Sequence, residues 1–130
     1  MANILIAEDD SAMRHFLTRE MERAGHRVSA VADGVDALPL LEEDTFDVLV
    51  ADIVMPDMDG LELGRRARNM DPDIKVIYIT GFAAVAMRAR DSVSAGTTVL
   101  SKPFHLRQLV AEVNRALGEE EIEDDVPPSA

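Results

Sequence analysis

The stretch Asp47-Val-Leu-Val-Ala-Asp52-Ile-Val-Met-Pro56-Asp-Met-Asp-Gly60 decides the fold. Its apolar run from Val48 to Ala51 has no polar alternation, the pattern of a strand buried on both faces, and it ends on a single carboxylate, Asp52. Pro56 and Gly60 then mark a loop. An aspartate at the carboxyl end of a central parallel strand lies in the crevice where open α/β sheets place their ligands. Asp52 is therefore the expected reactive group.

Working outward, strands and helices alternate on both sides of this stretch. Upstream, Ile4 to Ala7 is a short apolar strand followed directly by Glu8-Asp9-Asp10-Ser11. Met13, Leu17, Met21 and Ala24 recur at helical spacing, with Phe16 beside them, until Gly25. Arg27 to Val31 is a second strand, Asp33-Gly34 a turn and cap, and Val35, Leu38 and Leu41 begin a second helix. Pro39 inside that helix removes a backbone donor, so a kink or a late start is expected.

Downstream, Leu61, Leu63, Ala67 and Met70 suggest a third helix ending near Asp71-Pro72. Ile74 to Ile79 is a strand ending in Thr80-Gly81, and a small, apolar helix runs from Ala83 to about Ala95, closed by Gly96. Thr97 to Ser101 is the fifth strand and leads into Lys102-Pro103. Leu106, Leu109, Val110, Val113 and Leu117 form an amphipathic helix ended by Gly118. Five alternations predict a five-stranded parallel sheet, doubly wound, in three α/β/α layers.

Length and charge bound the function. The chain of 130 residues suits one domain, expected over residues 1–118. Without cysteine it has neither a disulfide framework nor a thiolate metal site. No signal peptide or membrane-spanning run is read, so a soluble cytoplasmic protein without membrane insertion is expected. Of the net charge of −12, six acidic residues lie between Glu119 and Asp125, leaving 19 acidic against 13 basic, or −6. Such a chain repels phosphate backbones, which argues against direct nucleic-acid binding. Residues 119–130 read as a disordered acidic tail that serves solubility or, alternatively, partner binding or degradation.

In a fold of this kind all strand ends face one rim, so Glu8, Asp9, Asp52, Thr80 and Lys102 converge there. Crowded carboxylates repel one another unless a cation sits between them, and hard oxygen ligands suit magnesium. The plainer reading of the first loop is that Asp10 or Ser11 caps the helix while Glu8 and Asp9 are solvated. Lysine occurs only at Lys75 and Lys102, so a compact ammonium at the rim is notable. Thr80 can donate a hydrogen bond to a phosphoryl oxygen, although alone it reads as a turn former. These parts suit phosphoryl transfer to the Asp52 carboxylate. The acidic first loop argues against a flavodoxin-like nucleotide or flavin binder, which needs a phosphate cradle there.

Glu8-Asp9, Asp52 with Met55-Pro56 and Gly60, Thr80-Gly81, and Lys102-Pro103-Phe104, in this order, resemble the receiver domain of bacterial response regulators over residues 3 to about 117. The resemblance implies a flavodoxin/CheY-like fold with Asp52 as phosphoacceptor. It implies magnesium held by Glu8, Asp9, Asp52 and the Val54 carbonyl, Thr80 as the switch hydroxyl, Lys102 as the phosphoryl-binding cation, and a cis peptide before Pro103. The implied donor is a phosphohistidine on a histidine kinase or histidine phosphotransfer protein. The protein would catalyse its own phosphorylation and dephosphorylation rather than act as an enzyme on other molecules.

Ile53-Val-Met-Pro, Ile79-Thr-Gly-Phe-Ala-Ala-Val-Ala and Val99-Leu-Ser-Lys-Pro-Phe-His-Leu are more narrowly similar to the CpdR group of stand-alone receivers. That similarity implies a cell-cycle adaptor for the ClpX/ClpXP protease, active when unphosphorylated, and allows a location at the cell pole. The chain is read as lacking an output module, so its output is expected to be protein binding.

Two departures from the receiver pattern matter. Val99 stands where many receivers carry a switch aromatic, which leaves switching to Thr80, the loop after it and the helix from Ala83. Val54 and Phe82 occupy positions that commonly orient a hydrolytic water, so slow self-dephosphorylation is expected. His15, His26 and His105 are read as surface or helix-end residues, with His15 and Arg19 one turn apart on a face open to a partner. The alternatives are an aspartate-nucleophile phosphatase, which would want a carboxylate where Val54 stands, and a phosphorylation-independent scaffold.

Overall fold

In a computed structural model, residues 1–93, 97–102 and 106–118 are described, the side chain of Leu106 excepted. In chain order the elements are β1 (Asn3–Ala7), α1 (Ser11–Arg23), β2 (Arg27–Val31), α2 (Gly34–Glu43), β3 (Val48–Asp52), α3 (Gly60–Met70), β4 (Lys75–Thr80), α4 (Ala83–Ser92), β5 (Thr98–Ser101) and α5 (Leu106–Leu117). All four strand pairings are parallel and the order is β2-β1-β3-β4-β5, a doubly wound flavodoxin-like sheet. The direction of winding reverses between β1 and β3, which puts the crevice where the sequence places Glu8 and Asp52.

Alternation along each strand builds two cores. Leu5, Leu49, Val76, Tyr78 and Val99 face α2, α3 and α4 through Ala37, Leu41, Leu63, Ala67, Ala86 and Ala89. Ile4, Ile6, Val48, Val50, Ile77, Ile79 and Leu100 face α1 and α5 through Leu17, Met21, Leu109 and Val113. β3 is buried along its whole length, as its unbroken apolar run requires.

Capping side chains set where the helices begin. Asp10, Asp33 and Asp59 each accept a hydrogen bond from the amide three residues on, at Met13, Asp36 and Glu62. Gly25 and Gly118 follow α1 and α5 with positive φ.

Several expectations need correction. Val35 is 48% exposed, because α2 turns Gly34, Ala37 and Leu41 inward instead. Pro39 does not delay α2, which starts at Gly34; the ring is exposed. Met70 closes α3 but is 43% exposed. His26 is buried rather than superficial, and its Nδ1 accepts the Ala2 amide at 3.1 Å, tying the start of β1 to the start of β2. α4 ends at Ser92; the expected continuation toward Ala95 and Gly96 runs into residues 94–96, outside the described residues. The expected cis peptide before Pro103, Phe104, His105 and the tail 119–130 also lie outside them.

One close approach fixes the loop that carries Asp52. The Gly60 amide donates to the Ile53 carbonyl at 2.8 Å, and a Cβ on Gly60 would overlap the Asp52 carbonyl and lie 2.9 Å from the Ile53 Cα. These neighbours are backbone and cannot rotate away. Gly81, by contrast, has only the Lys102 Cδ near it, at 3.9 Å from an added Cβ. Gly60→Ala should therefore lower stability by about 1–3 kcal/mol, the usual cost of overpacking. Gly81→Ala should stay within about 0.5 kcal/mol. Urea unfolding of both variants checks the contrast.

Candidate functional site

The parallel register aligns the strand ends. Ala7 is level with Ala51, Asp52 with Ile79, and Thr80 with Ser101. Glu8 and Asp9 therefore leave β1 beside the end of β3, and Lys102 leaves β5 beyond β4. The Lys102 amide donates to the Thr80 carbonyl, which anchors the root of the side chain. Its four-carbon stem then crosses β4 near Gly81, and Nζ reaches Glu8 Oε1 at 2.9 Å and Asp52 Oδ2 at 3.1 Å.

Both carboxylates are held from a second side. Asp52 Oδ1 accepts the Val54 amide at 3.1 Å, and Glu8 Oε2 accepts the Asp10 amide at 3.1 Å. Arg14 Nη1 donates to the Glu8 carbonyl at 2.8 Å and thereby fixes the loop between β1 and α1. The sequence gives no signal for this contact, because nothing in an arginine six residues on marks a backbone partner. Thr80 is fully buried, and its Oγ1 accepts the Phe82 amide at 3.2 Å. Its hydroxyl proton is left to donate elsewhere.

Glu8, Asp9 and Asp52 each present one carboxylate oxygen, all within 4.8 Å of one another. An ion coordinated at 2.0–2.1 Å needs oxygens spread over about 4 Å at most, so the donor set fits a small hard divalent cation after slight contraction. Charge points the same way: three carboxylates face one ammonium. The first loop thus combines both readings of the sequence, since Asp10 caps α1 while, of the pair before it, Glu8 is fully buried and Asp9 is exposed.

Burial pushes the Glu8 carboxyl up to about 7, and the Asp52 charge adds to that against the opposing bonds from Lys102 and the Asp10 amide. Burial also works against the Lys102 ammonium, but the bond to Glu8 and the charges of Asp52 and Glu8 outweigh it, so its pKa is raised.

The family is decided by these positions together with the sequence match. The model of the response regulator receiver domain matches residues 4–114. The chain belongs to the receiver-domain family. It is 50% identical over 117 residues to the response regulator receiver protein CpdR of Brucella abortus, covering 90% of this chain and 98% of that protein. Among solved structures, a CheY-like receiver domain protein of Methanospirillum hungatei superposes with a TM-score of 0.82 at 31% identity, covering 95% of this chain and 98% of the other. The response regulator TrrA of Thermotoga maritima, solved in complex with Mg(2+)-BeF, gives 0.78 at 26% identity, covering 89% and 99%.

Every sequence-chosen rim residue lies at the same end of the sheet in this receiver. Val54 and Phe82 are 44% and 58% exposed there, and both are apolar. Val99 is buried, level with Tyr78 on β4. His15, Phe16 and Arg19 are exposed on α1.

The raised Glu8 pKa has a stability consequence in metal-free protein. The folded state holds the Glu8 proton more tightly than the unfolded chain, whose carboxyl has the ordinary value of 4.5. The Glu8 contribution is thus fully present below about 4.5 and is lost as pH rises through about 7. Wild type should lose stability relative to Glu8→Gln between pH 5 and pH 8, measured by urea unfolding in chelator. A difference that does not change with pH would contradict this electrostatic reading.

Proposed function

We propose that the protein is a phosphorylation-controlled signalling receiver in which Asp52 accepts a phosphoryl group from a phosphohistidine. The observation that carries this reading is the joint contact of Lys102 Nζ with Asp52 and Glu8, inside an acidic cluster built from β1 and β3. An Asp52 oxygen attacks phosphorus, the P–N bond to the donor imidazole breaks, and the imidazole nitrogen keeps the bonding pair and takes up a proton. The product is an acyl phosphate.

The side chains of this protein would divide the work as follows. Lys102 leaves Asp52 and pairs with a phosphoryl oxygen, while the buried Thr80 hydroxyl donates to another. Glu8, Asp9, Asp52 and the Val54 carbonyl would hold magnesium, which supplies neutralisation of charge on the transferring group when bound. Binding a cation requires Glu8 as the anion, so it would release a proton near neutral pH.

The donor is a histidine kinase or a histidine phosphotransfer protein, and the exposed His15, Phe16 and Arg19 on α1 supply a surface for it. By its similarity to CpdR, the output is that of a cytoplasmic cell-cycle adaptor acting on ClpX/ClpXP, stationed at the cell pole, with the unphosphorylated form active. Among the described residues no helix is long and apolar enough to cross a membrane. The protein acts on itself rather than as an enzyme on other substrates, and apolar Val54 and Phe82 leave the hydrolytic water unplaced. Return of the phosphoryl group to the partner is then the main exit.

Labelled acetyl phosphate with magnesium should modify wild type and leave Asp52→Ala unmodified; equal labelling of both removes the acceptor. The label should persist for minutes or longer in isolated protein, and decay within seconds would contradict the role given to Val54 and Phe82. Lys102→Arg should lose phosphate-dependent partner binding, because a planar fork replaces a compact ammonium. Normal switching by that variant would count against Lys102.

A further inference from the structure

On the α3 side of the sheet, a cavity of about 240 Å³ lies between α3 and the described residues Ser92, Val93 and Thr97. It lies among the residues that face α3 and α4, not among those that form the phosphorylation rim. Leu61, Arg65 and Arg68 of α3 form one wall, Ser92, Val93 and Thr97 another, and Tyr78 of β4 reaches it from the sheet. None of the described lining residues is a carboxylate.

Tyr78 is 4% exposed, and among the described residues its hydroxyl has no hydrogen-bond partner. A buried phenol without a partner is costly, and in most proteins such a group is satisfied. The fold makes room for it deliberately: a Cβ on Gly64 would fall 2.7 Å from the Tyr78 Cζ, so only glycine admits the ring end-on to α3. Burial raises the phenol pKa, while the charges of Arg68 and Arg65 oppose that shift and outrank an opposite contribution from Asp59. Arg65 and Arg68 line the same cavity as the phenol. Arg65 pairs with Glu62, but Arg68 has no carboxylate partner among the described residues and bonds instead to the Thr97 hydroxyl.

We propose that this cavity binds a small organic oxyanion, a phosphate or carboxylate held by Arg68 and Arg65 and hydrogen-bonded by the Tyr78 hydroxyl. Guanidinium groups match such oxyanions in geometry and charge. Leu61 and Val93 supply apolar surface for a short carbon skeleton. Occupancy would brace α3 against the end of α4, the helix that follows Thr80, and so couple a diffusible anion to the same helix that the rim addresses.

Tyr78 is the only tyrosine and the chain has no tryptophan, so its emission reports on this cavity alone. Full-length Asp52→Ala, which removes the competing acceptor, is titrated with inorganic phosphate, glycerol phosphate, phosphoenolpyruvate and succinate. At least one should give a saturable change in emission, and the pattern separates phosphate from carboxylate recognition. Arg68→Gln should weaken that binding about tenfold, the loss of one charge-assisted contact. Arg66→Gln, on the same helix but outside the cavity, should leave it unchanged. Tyr78→Phe should weaken binding by calorimetry without lowering the unfolding midpoint of the free protein. No saturable change with any probe, undiminished binding by Arg68→Gln, or a lowered midpoint in Tyr78→Phe, which would reveal a hydroxyl already partnered, overturns the proposal.

Discussion

Three carboxylates and one ammonium share the end of a parallel sheet, and that imbalance of charge organises the molecule. Lys102 must cross β4 to reach Asp52 and Glu8, which it does on a flexible four-carbon stem. Among the described residues, the buried Glu8 carboxylate is satisfied by that ammonium and one backbone amide. A charged group placed in such surroundings either takes up a proton or finds more positive charge. The raised Glu8 pKa is the first outcome and cation binding is the second, so ion-free protein is poised between them. The same imbalance explains why the rim suits a group that arrives with its own negative charge only when a cation accompanies it.

Backbone proximity holds this arrangement in place. Gly60 brings the start of α3 against the peptide of Asp52 and Ile53, and the Asp59 cap then fixes where that helix begins. The loop between them is short and includes Asp57 at φ 68, an uncommon conformation for a residue with a side chain. The backbone position of Asp52 therefore depends in part on a close approach that involves no charge. One turn further along the same buried face of α3, Gly64 does the same for Tyr78, so one helix carries two close approaches four residues apart.

Most of the fold is legible in the residue pattern because each element announces itself by period and by its ends. The unbroken run Val48 to Ala51 reads as a doubly buried strand, and Asp33 and Gly25 mark a helix start and a helix stop, as the caps show. The rim is legible because alternation alone sends every strand end to one side. Less legible is what depends on the exact rotation of a helix. Val35 looks apolar enough for the core, yet Ala37 and Leu41 occupy it, and only packing decides between them. His26 illustrates a different limit: its burial follows from a bond to the Ala2 amide across 24 residues, which no local pattern encodes. Arg14 on the Glu8 carbonyl and the Gly64 contact with Tyr78 are likewise long-range pairings that sequence spacing does not reveal.

On the proposed reading Asp52 is the carboxylate that becomes phosphorylated, with neighbouring Asp9 and Glu8 reserved for the cation. Reduction of the acyl phosphate with borohydride, followed by peptide mass mapping, distinguishes these carboxylates directly, because only the phosphorylated aspartate is converted to homoserine. The modification should appear at Asp52 alone in protein treated with acetyl phosphate and magnesium. Conversion at Asp9, or at neither residue despite phosphate incorporation, would contradict it.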